Sequence, residues 1–124
     1  MQELTKAQED ILKALWKIDD GAVSDILDQI PEPKPAYNTV ATVVKVLEKK
    51  GYVDHKTYGK TNVYFPLISQ DTYAKKLMKS TIGSFFNGSI KQMVSHFVKD
   101  KDINIHELES LKEMIEKEIK TQKK

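Results

Sequence analysis

The sequence contains no cysteine and no arginine, and all twenty of its cationic side chains are lysines. Without cysteine there is no disulfide framework, no thiolate-ligated zinc or copper site and no thiol nucleophile. Without arginine the bidentate fork that most often reads guanine is missing, so base edges must be read by other side chains. Apolar runs are short, and none approaches the roughly 20 residues of a spanning helix. Met1-Gln2-Glu3-Leu4-Thr5-Lys6 lacks the basic stretch and apolar run of a secretory leader, so a cytoplasmic location is expected. Histidine is scarce: His55, His96 and His106 show no His-Glu-x-x-His or comparable spacing, and neither a metal nor a cofactor is expected. No Gly-x-Gly-x-x-Gly, phosphate loop or Ser-His-Asp pattern is present, which makes the chain a non-enzyme on this reading.

What the chain does have is 124 residues, 40% hydrophobic and 31% charged, enough for one ordinary domain or two small ones. The formal charge of +2 conceals a division along the chain. Residues 1–33 carry eight acids against three lysines, whereas residues 34–62 carry six lysines against two acids. Residues 63–124 carry eleven lysines and eight acids. A basic segment of this kind fits an anionic partner, nucleic acid first, or else a solvated lysine face.

Hydrophobic periodicity gives three helices, a hairpin and three more helices. Thr5 with Gln8 forms a capping box ahead of Ile11, Leu12, Leu15 and Trp16, and Asp19-Asp20-Gly21 stops that helix near Ile18. Val23, Ile26, Leu27 and Ile30 mark a short second helix, closed by Pro31, Pro33 and Pro35. The third, Ala36 to Lys50, buries Val40, Val43, Val44 and Leu47; Asn38, Thr42, Lys45 and Lys49 share the opposite face, and Gly51 ends it. The pattern then switches to alternating β-branched and aromatic residues over 52–57 and 61–66, with Tyr58-Gly59-Lys60 between, as in a hairpin. Beyond Pro66, Leu77, Met78 and Ile82 mark a helix interrupted at Gly83. Phe85, Phe86, Ile90, Met93, Val94, Phe97 and Val98 mark another, weakened at Gly88, and Asn104 with Glu107 caps a last one carrying Leu108, Leu111, Ile115 and Ile119. Lys117 to Lys124 forms the one compositionally biased tail.

The fold class is therefore mainly α with a small β-hairpin: a winged helix-turn-helix domain over residues 1–68, followed by a three-helix region over 69–124. In a winged helix-turn-helix the third helix enters the major groove and the hairpin meets the backbone. Tyr37, Asn38, Thr39, Thr42 and Lys45 become candidates for base reading, weighted toward A·T edges and methyl groups. Lys49, Lys56 and Lys60 supply further charge to bases or phosphates. The alternative from another functional class is a winged-helix interaction module that assembles proteins without touching DNA. Three short helices without metal or disulfide seldom hold a core alone. The C-terminal region is expected either to fold back on the N-terminal domain or, the favoured reading, to pair with a second copy through Phe85, Phe86, Ile90, Met93, Phe97, Leu108, Leu111 and Ile115, giving a two-fold dimer on an inverted-repeat site.

One set of residues carries a family resemblance. Leu4-Thr5-Lys6-Ala7-Gln8-Glu9 with Leu15-Trp16, Pro35-Ala36-Tyr37-Asn38-Thr39-Val40-Ala41-Thr42-Val43, and Leu47-Glu48-Lys49-Lys50-Gly51-Tyr52-Val53 resemble the penicillinase repressor family of bacterial transcriptional regulators. Asn104-Ile105-His106-Glu107-Leu108-Glu109-Ser110-Leu111 resembles that family's last helix. The resemblance implies a homodimeric repressor on an inverted-repeat operator of double-stranded DNA. It also implies, from the β-lactam branch, a membrane sensor-protease as a partner that cuts the dimerisation arm at an Asn-Phe pair. This chain has His96-Phe97 at the matching place. The copper branch senses metal through C-terminal cysteines, which this chain lacks.

Overall fold

A computed structural model describes residues 3–123. Helix α1 (Lys6–Ile18) starts at the expected capping box: the Gln8 N–H donates to Thr5 Oγ1 at 3.2 Å, and the Thr5 N–H donates to Gln8 Oε1 at 3.0 Å. Helix α2 (Val23–Asp28) ends two residues before the apolar pattern does. The N–H groups of Gln29 and Ile30 reach back only to the Ile26 and Leu27 carbonyls, a tightened last turn that the following prolines cannot extend.

Helix α3 (Tyr37–Lys49) closes with two backbone bonds, Gly51 N–H to the Glu48 carbonyl at 3.0 Å and Tyr52 N–H to the Leu47 carbonyl at 2.9 Å. This paired closure needs a left-handed residue, supplied by Gly51 at φ 88°. It delivers the chain directly into strand β1 (Val53–Tyr58), which pairs antiparallel with β2 (Thr61–Pro66) in the register Val53↔Pro66 through Tyr58↔Thr61. Tyr52, expected at the head of the first strand, is instead a buried core residue at that helix exit.

The hairpin is tied back to the helices by a two-bond bridge. Gly21 N–H donates to the Tyr64 carbonyl at 2.9 Å, and Tyr64 N–H donates to the Gly21 carbonyl at 2.8 Å. Gly21 sits so close to its neighbours that a Cβ there would lie 2.7 Å from Ile18 Cδ1 and 2.9 Å from Asp25 Cβ. The core beneath comprises Ile11, Leu12 and Leu15 of α1, Ile26 of α2, Val40, Val44 and Leu47 of α3, and Tyr52, Val53, Tyr64 and Ile68.

The chain divides into two compact units, Met1–Lys76 and Leu77–Lys124. The first includes the opening turns of α4 (Gln70–Phe85), because Tyr73 packs near Trp16 and Tyr52 and donates its hydroxyl to Glu9 Oε2 at 2.6 Å. Trp16 Nε1–H in turn donates to the Ile68 carbonyl at 2.9 Å. In the second unit, α4 runs through Gly83, where the pattern predicts a helix break, and Phe85 belongs to α4 rather than to the next helix. A lone glycine costs a helix only about 1 kcal/mol. The break falls instead at Asn87 and Gly88, consecutive residues at φ 52° and 77°, after which Ser89 caps α5 (Ile90–Lys99). Asn104 Oδ1 accepts the Glu107 N–H at 2.9 Å and starts α6 (Ile105–Gln122). No helix among the described residues is long and apolar enough to cross a membrane. Lys124 of the lysine-biased tail lies outside them.

Burial first, then the hydrogen bond and negative charge of Glu9, push the Tyr73 hydroxyl well above the ordinary tyrosine value of 10.0. Burial and the charge of Glu3 raise Tyr52 in the same direction. A phenol whose ionisation is suppressed by folding contributes stability that is complete below the unfolded-state pKa and is lost as the pH rises past it. In urea unfolding at neutral pH, Tyr73→Phe is expected to be less stable by about 1 kcal/mol, the scale of a half-exposed bond to a carboxylate. Above pH 10.0 the wild-type protein should lose stability more steeply than the variant, which keeps only the Tyr52 contribution.

Candidate nucleic-acid interface

With Val40, Val44 and Leu47 turned into the core, the stripe of Asn38, Thr42, Lys45 and Lys49 faces outward, and all four side chains are exposed. Tyr37 and Thr39 flank its N-terminal end and are exposed as well. The N-cap position belongs to Ala36, which offers no side-chain bond, so Asn38 is not spent on capping. Neither the Asn38 amide nor the Thr39 hydroxyl has a hydrogen-bond partner among the described residues. Thr42 differs. Its hydroxyl donates to the Asn38 carbonyl at 2.9 Å, leaving its methyl group and its oxygen lone pairs for an outside partner.

The six lysines of residues 34–62 separate into two groups. Lys34 Nζ donates to the carbonyls of Leu27, Asp28 and Ile30 at 2.9–3.2 Å, closing the C-terminal end of α2. Lys50 Nζ reaches the Glu3 carbonyl at 3.3 Å and Gln8 Oε1 at 3.0 Å, clamping the end of α3 to the start of α1. The other four, Lys45 and Lys49 on α3, Lys56 on β1 and Lys60 in the turn, are exposed and have no ion-pair partner among the described residues. The hairpin also presents Tyr58 to solvent and is braced across its strands by Thr57 Oγ1–H donating to Asn62 Oδ1 at 2.8 Å. All eight residues singled out from the sequence for contact with DNA thus lie exposed on the first unit, on α3 and the hairpin.

The second unit has the opposite character. Ile82 is its one buried side chain among the described residues. Of the eight residues expected at a self-interface, Phe85 (77% exposed), Ile90 (63%), Phe97, Leu111 and Ile115 are exposed, while Phe86, Met93 and Leu108 are half-buried. Val94, Val98, Ile103, Leu108, Leu111 and Ile115 line an apolar groove of about 300 Å³ between α5 and α6.

A family model described as penicillinase repressor matches residues 4–117. The chain is similar to the methicillin resistance regulatory protein MecI of Staphylococcus aureus (strain N315), 25% identical over 116 residues that cover 93% of this chain and 94% of that protein. It is likewise similar to the penicillinase repressor of Bacillus licheniformis, 25% identical over 123 residues, covering 98% and 95%. Among solved structures, MarR C80S from E. coli aligns with a TM-score of 0.51 at 13% identity, over 94% of this chain and 79% of that one, a likeness of fold.

Two features of this surface have no sequence signal at short range. The structural duty of Lys50 depends on Glu3 and Gln8, distant residues brought near by folding, whereas that of Lys34 is local, on carbonyls of the helix end just before it. The contact of His55 Nδ1 with Glu48 Oε2, at 2.5 Å, joins the hairpin to the end of α3 and exists only once the hairpin folds back. The division of the lysines is measurable by urea unfolding. Lys34→Ala should lower stability by about 0.3–1 kcal/mol, as loss of a cation from a helix C-terminus does. Lys45→Ala should stay within about 0.5 kcal/mol of wild type, as surface substitutions do.

Proposed function

The chain belongs to the penicillinase repressor family, and from that premise we propose that it binds an inverted-repeat operator as a homodimer, with α3 in the major groove and the hairpin on the phosphate backbone. The coarse function follows from the family and its relatives: the protein is a DNA-binding transcriptional repressor of the penicillinase repressor type and not an enzyme. That membership sets aside the alternative of a module that never meets DNA.

The observation that carries the finer reading is the coincidence on α3 and the hairpin of uncommitted hydrogen-bonding groups with the four unpaired lysines. An exposed helix of this diameter fits the major groove, where Asn38 can pair with the adenine edge and the Thr42 methyl can meet thymine. Thr39, Tyr37 and Lys45 border the same edge. Lys49, Lys56 and Lys60 provide phosphate contacts, which set register and affinity without reading sequence.

Residues 1–68 are the DNA-binding part of this proposal and 69–124 the dimerisation part. The near absence of buried side chains in the second unit supports it, because three helices without an internal core need an outside surface against which to bury Phe85, Ile90, Phe97, Leu111 and Ile115. A second copy supplies that surface symmetrically and sets two α3 helices on successive major grooves. The sensor-protease implied by the resemblance would meet His96–Phe97 inside α5, where the His96 ring packs 5.3 Å from Phe86.

Two measurements test this. In a salt titration against promoter DNA, alanine at Lys49, Lys56 or Lys60 should each lower the salt slope by about one phosphate contact. Alanine at Lys34 or Lys50 should leave the slope as it is, and equal slopes for all five would defeat the assignment. In sedimentation equilibrium the full chain should be a dimer and Leu111→Asp/Ile115→Asp a monomer. On the operator the monomer should lose the advantage of two linked half-sites, about a hundredfold or more in affinity. A double variant that remains dimeric would move the interface elsewhere.

A further inference from the structure

Residues 34–62 contain two acids, Glu48 and Asp54, and one histidine, His55. The fold brings all three together. Glu48 lies on the last turn of α3, and Asp54 and His55 on β1. One donor atom from each, two carboxylate oxygens and an imidazole nitrogen, lies within 4.8 Å of the others. Neighbouring strand residues ordinarily point to opposite faces. Here Asp54 Oδ1 accepts the His55 backbone N–H at 2.8 Å, and its carboxylate lies on the side of the imidazole. Glu48 and His55 are half-buried, and the His55 ring is held against Tyr64 with centroids 5.3 Å apart.

The charges around this cluster are unusual for their setting. Six lysines share the segment, yet none forms an ion pair with Glu48 or Asp54 among the described residues. Two carboxylates therefore crowd one imidazole on the part of the molecule richest in positive charge, where they repel each other. A dication would relieve that repulsion. Imidazole with two carboxylates is a donor set for a borderline first-row ion, while magnesium and calcium favour all-oxygen shells.

We propose that Glu48, Asp54 and His55 form a site for a first-row transition-metal dication, with Zn2+ the natural fit, which pins the hairpin to the end of α3. Three protein donors leave a tetrahedral ion one position for water. Metal–ligand bonds of about 2.0–2.2 Å require the donors to close on the ion, which the exposed Asp54 side chain can do by changing rotamer. The ion takes the place of the direct contact between Glu48 Oε2 and His55 Nδ1, and an imidazole bound through Nδ1 carries its ring hydrogen on Nε2. The site stands on its own geometry. Its consequence for DNA rests on the operator reading above: pinning the hairpin fixes Lys56 and Lys60 relative to α3, and the ion cancels two negative charges beside the phosphates.

The test uses full-length protein and Co2+ as a visible probe, with circular dichroism to verify that each variant is folded. Wild type should bind one Co2+ and develop the intense visible bands of a four-coordinate ion, displaced by Zn2+ but not by equimolar Mg2+. His55→Ala should weaken binding by more than the roughly 10–100-fold typical of losing an outer partner of a metal ligand. The exposed Asp54→Asn should weaken it in the same direction without disturbing the core. His96→Gln/His106→Gln should bind as wild type does. Unchanged Co2+ binding in His55→Ala and Asp54→Asn, loss of binding in the double variant, or displacement by Mg2+ would each overturn the site. Zn2+ should also raise affinity for operator DNA by about fivefold or more, the low end of usual coupling between sites. This rise should appear in wild type and not in Asp54→Asn. Metal binding with no change in DNA affinity overturns the pinning role. Absence of DNA binding with and without metal overturns the operator reading instead, and the Co2+ spectrum judges the site independently.

Discussion

Val40, Val44 and Leu47 lie along one side of α3, and burying them against α1 and α2 sets the rotation of that helix about its axis. Each such side chain contributes on the order of 1.5–3 kcal/mol when removed from water. A different rotation would expose part of this seam and drive Asn38, Thr42 or Lys45 into the core, where an unpaired polar group costs a few kcal/mol more. The outward stripe is thus held in place by its apolar counterpart. None of its members needs a partner within the protein to stay where it is. The hydroxyl of Thr42 is satisfied on the helix itself, and Lys45 and Lys49 keep their charges in water.

The same helix sets the course of the chain beyond it. Its closure at Gly51 sends Tyr52 and Val53 into the core and starts β1 at an angle that returns the hairpin beside α3. Two backbone bonds between Gly21 and Tyr64 then hold the second strand to the turn after α1. The tight space around Gly21 is a consequence of that approach, since a side chain there would meet Ile18 and Asp25. Lys50 and Lys34 brace two helix ends, so the segment richest in lysine spends part of its charge on building the scaffold and leaves the rest on the surface. Glu48 sits between these roles, at the end of the outward-facing helix and in contact with the hairpin.

The two units solve the problem of burial differently. The first encloses a continuous core drawn from three helices and the hairpin, with the Trp16, Tyr52 and Tyr73 rings sealing one side. The second leaves its large apolar side chains on the outside. For a repressor this separation has a physical use. A domain that folds by itself presents one half-site contact, while an arm that requires a partner makes tight binding conditional on pairing, because linked contacts gain from effective concentration and single ones do not. On the operator reading proposed above, anything that weakens the arm acts on DNA affinity without touching α3.

Features decided by neighbours three or four residues away are legible in the sequence. The Thr5–Gln8 box, the two faces of α3, the glycine exit at Gly51, the hairpin and the Asn104 cap all depend on local periodicity and local hydrogen bonds, and the lysines of α3 and the hairpin are exposed by the same logic. The helix break does not fall at Gly83 because the pull of one glycine is weak, and consecutive left-handed residues at Asn87 and Gly88 decide it. What only the tertiary structure decided are relations that need elements to fold against one another: Lys50 on Gln8, Tyr73 on Glu9, Gly21 on Tyr64, and Glu48 with Asp54 and His55. The sequence by itself determines which face each element offers. Which two faces meet is settled by packing the whole core at once, and no local pattern contains that information.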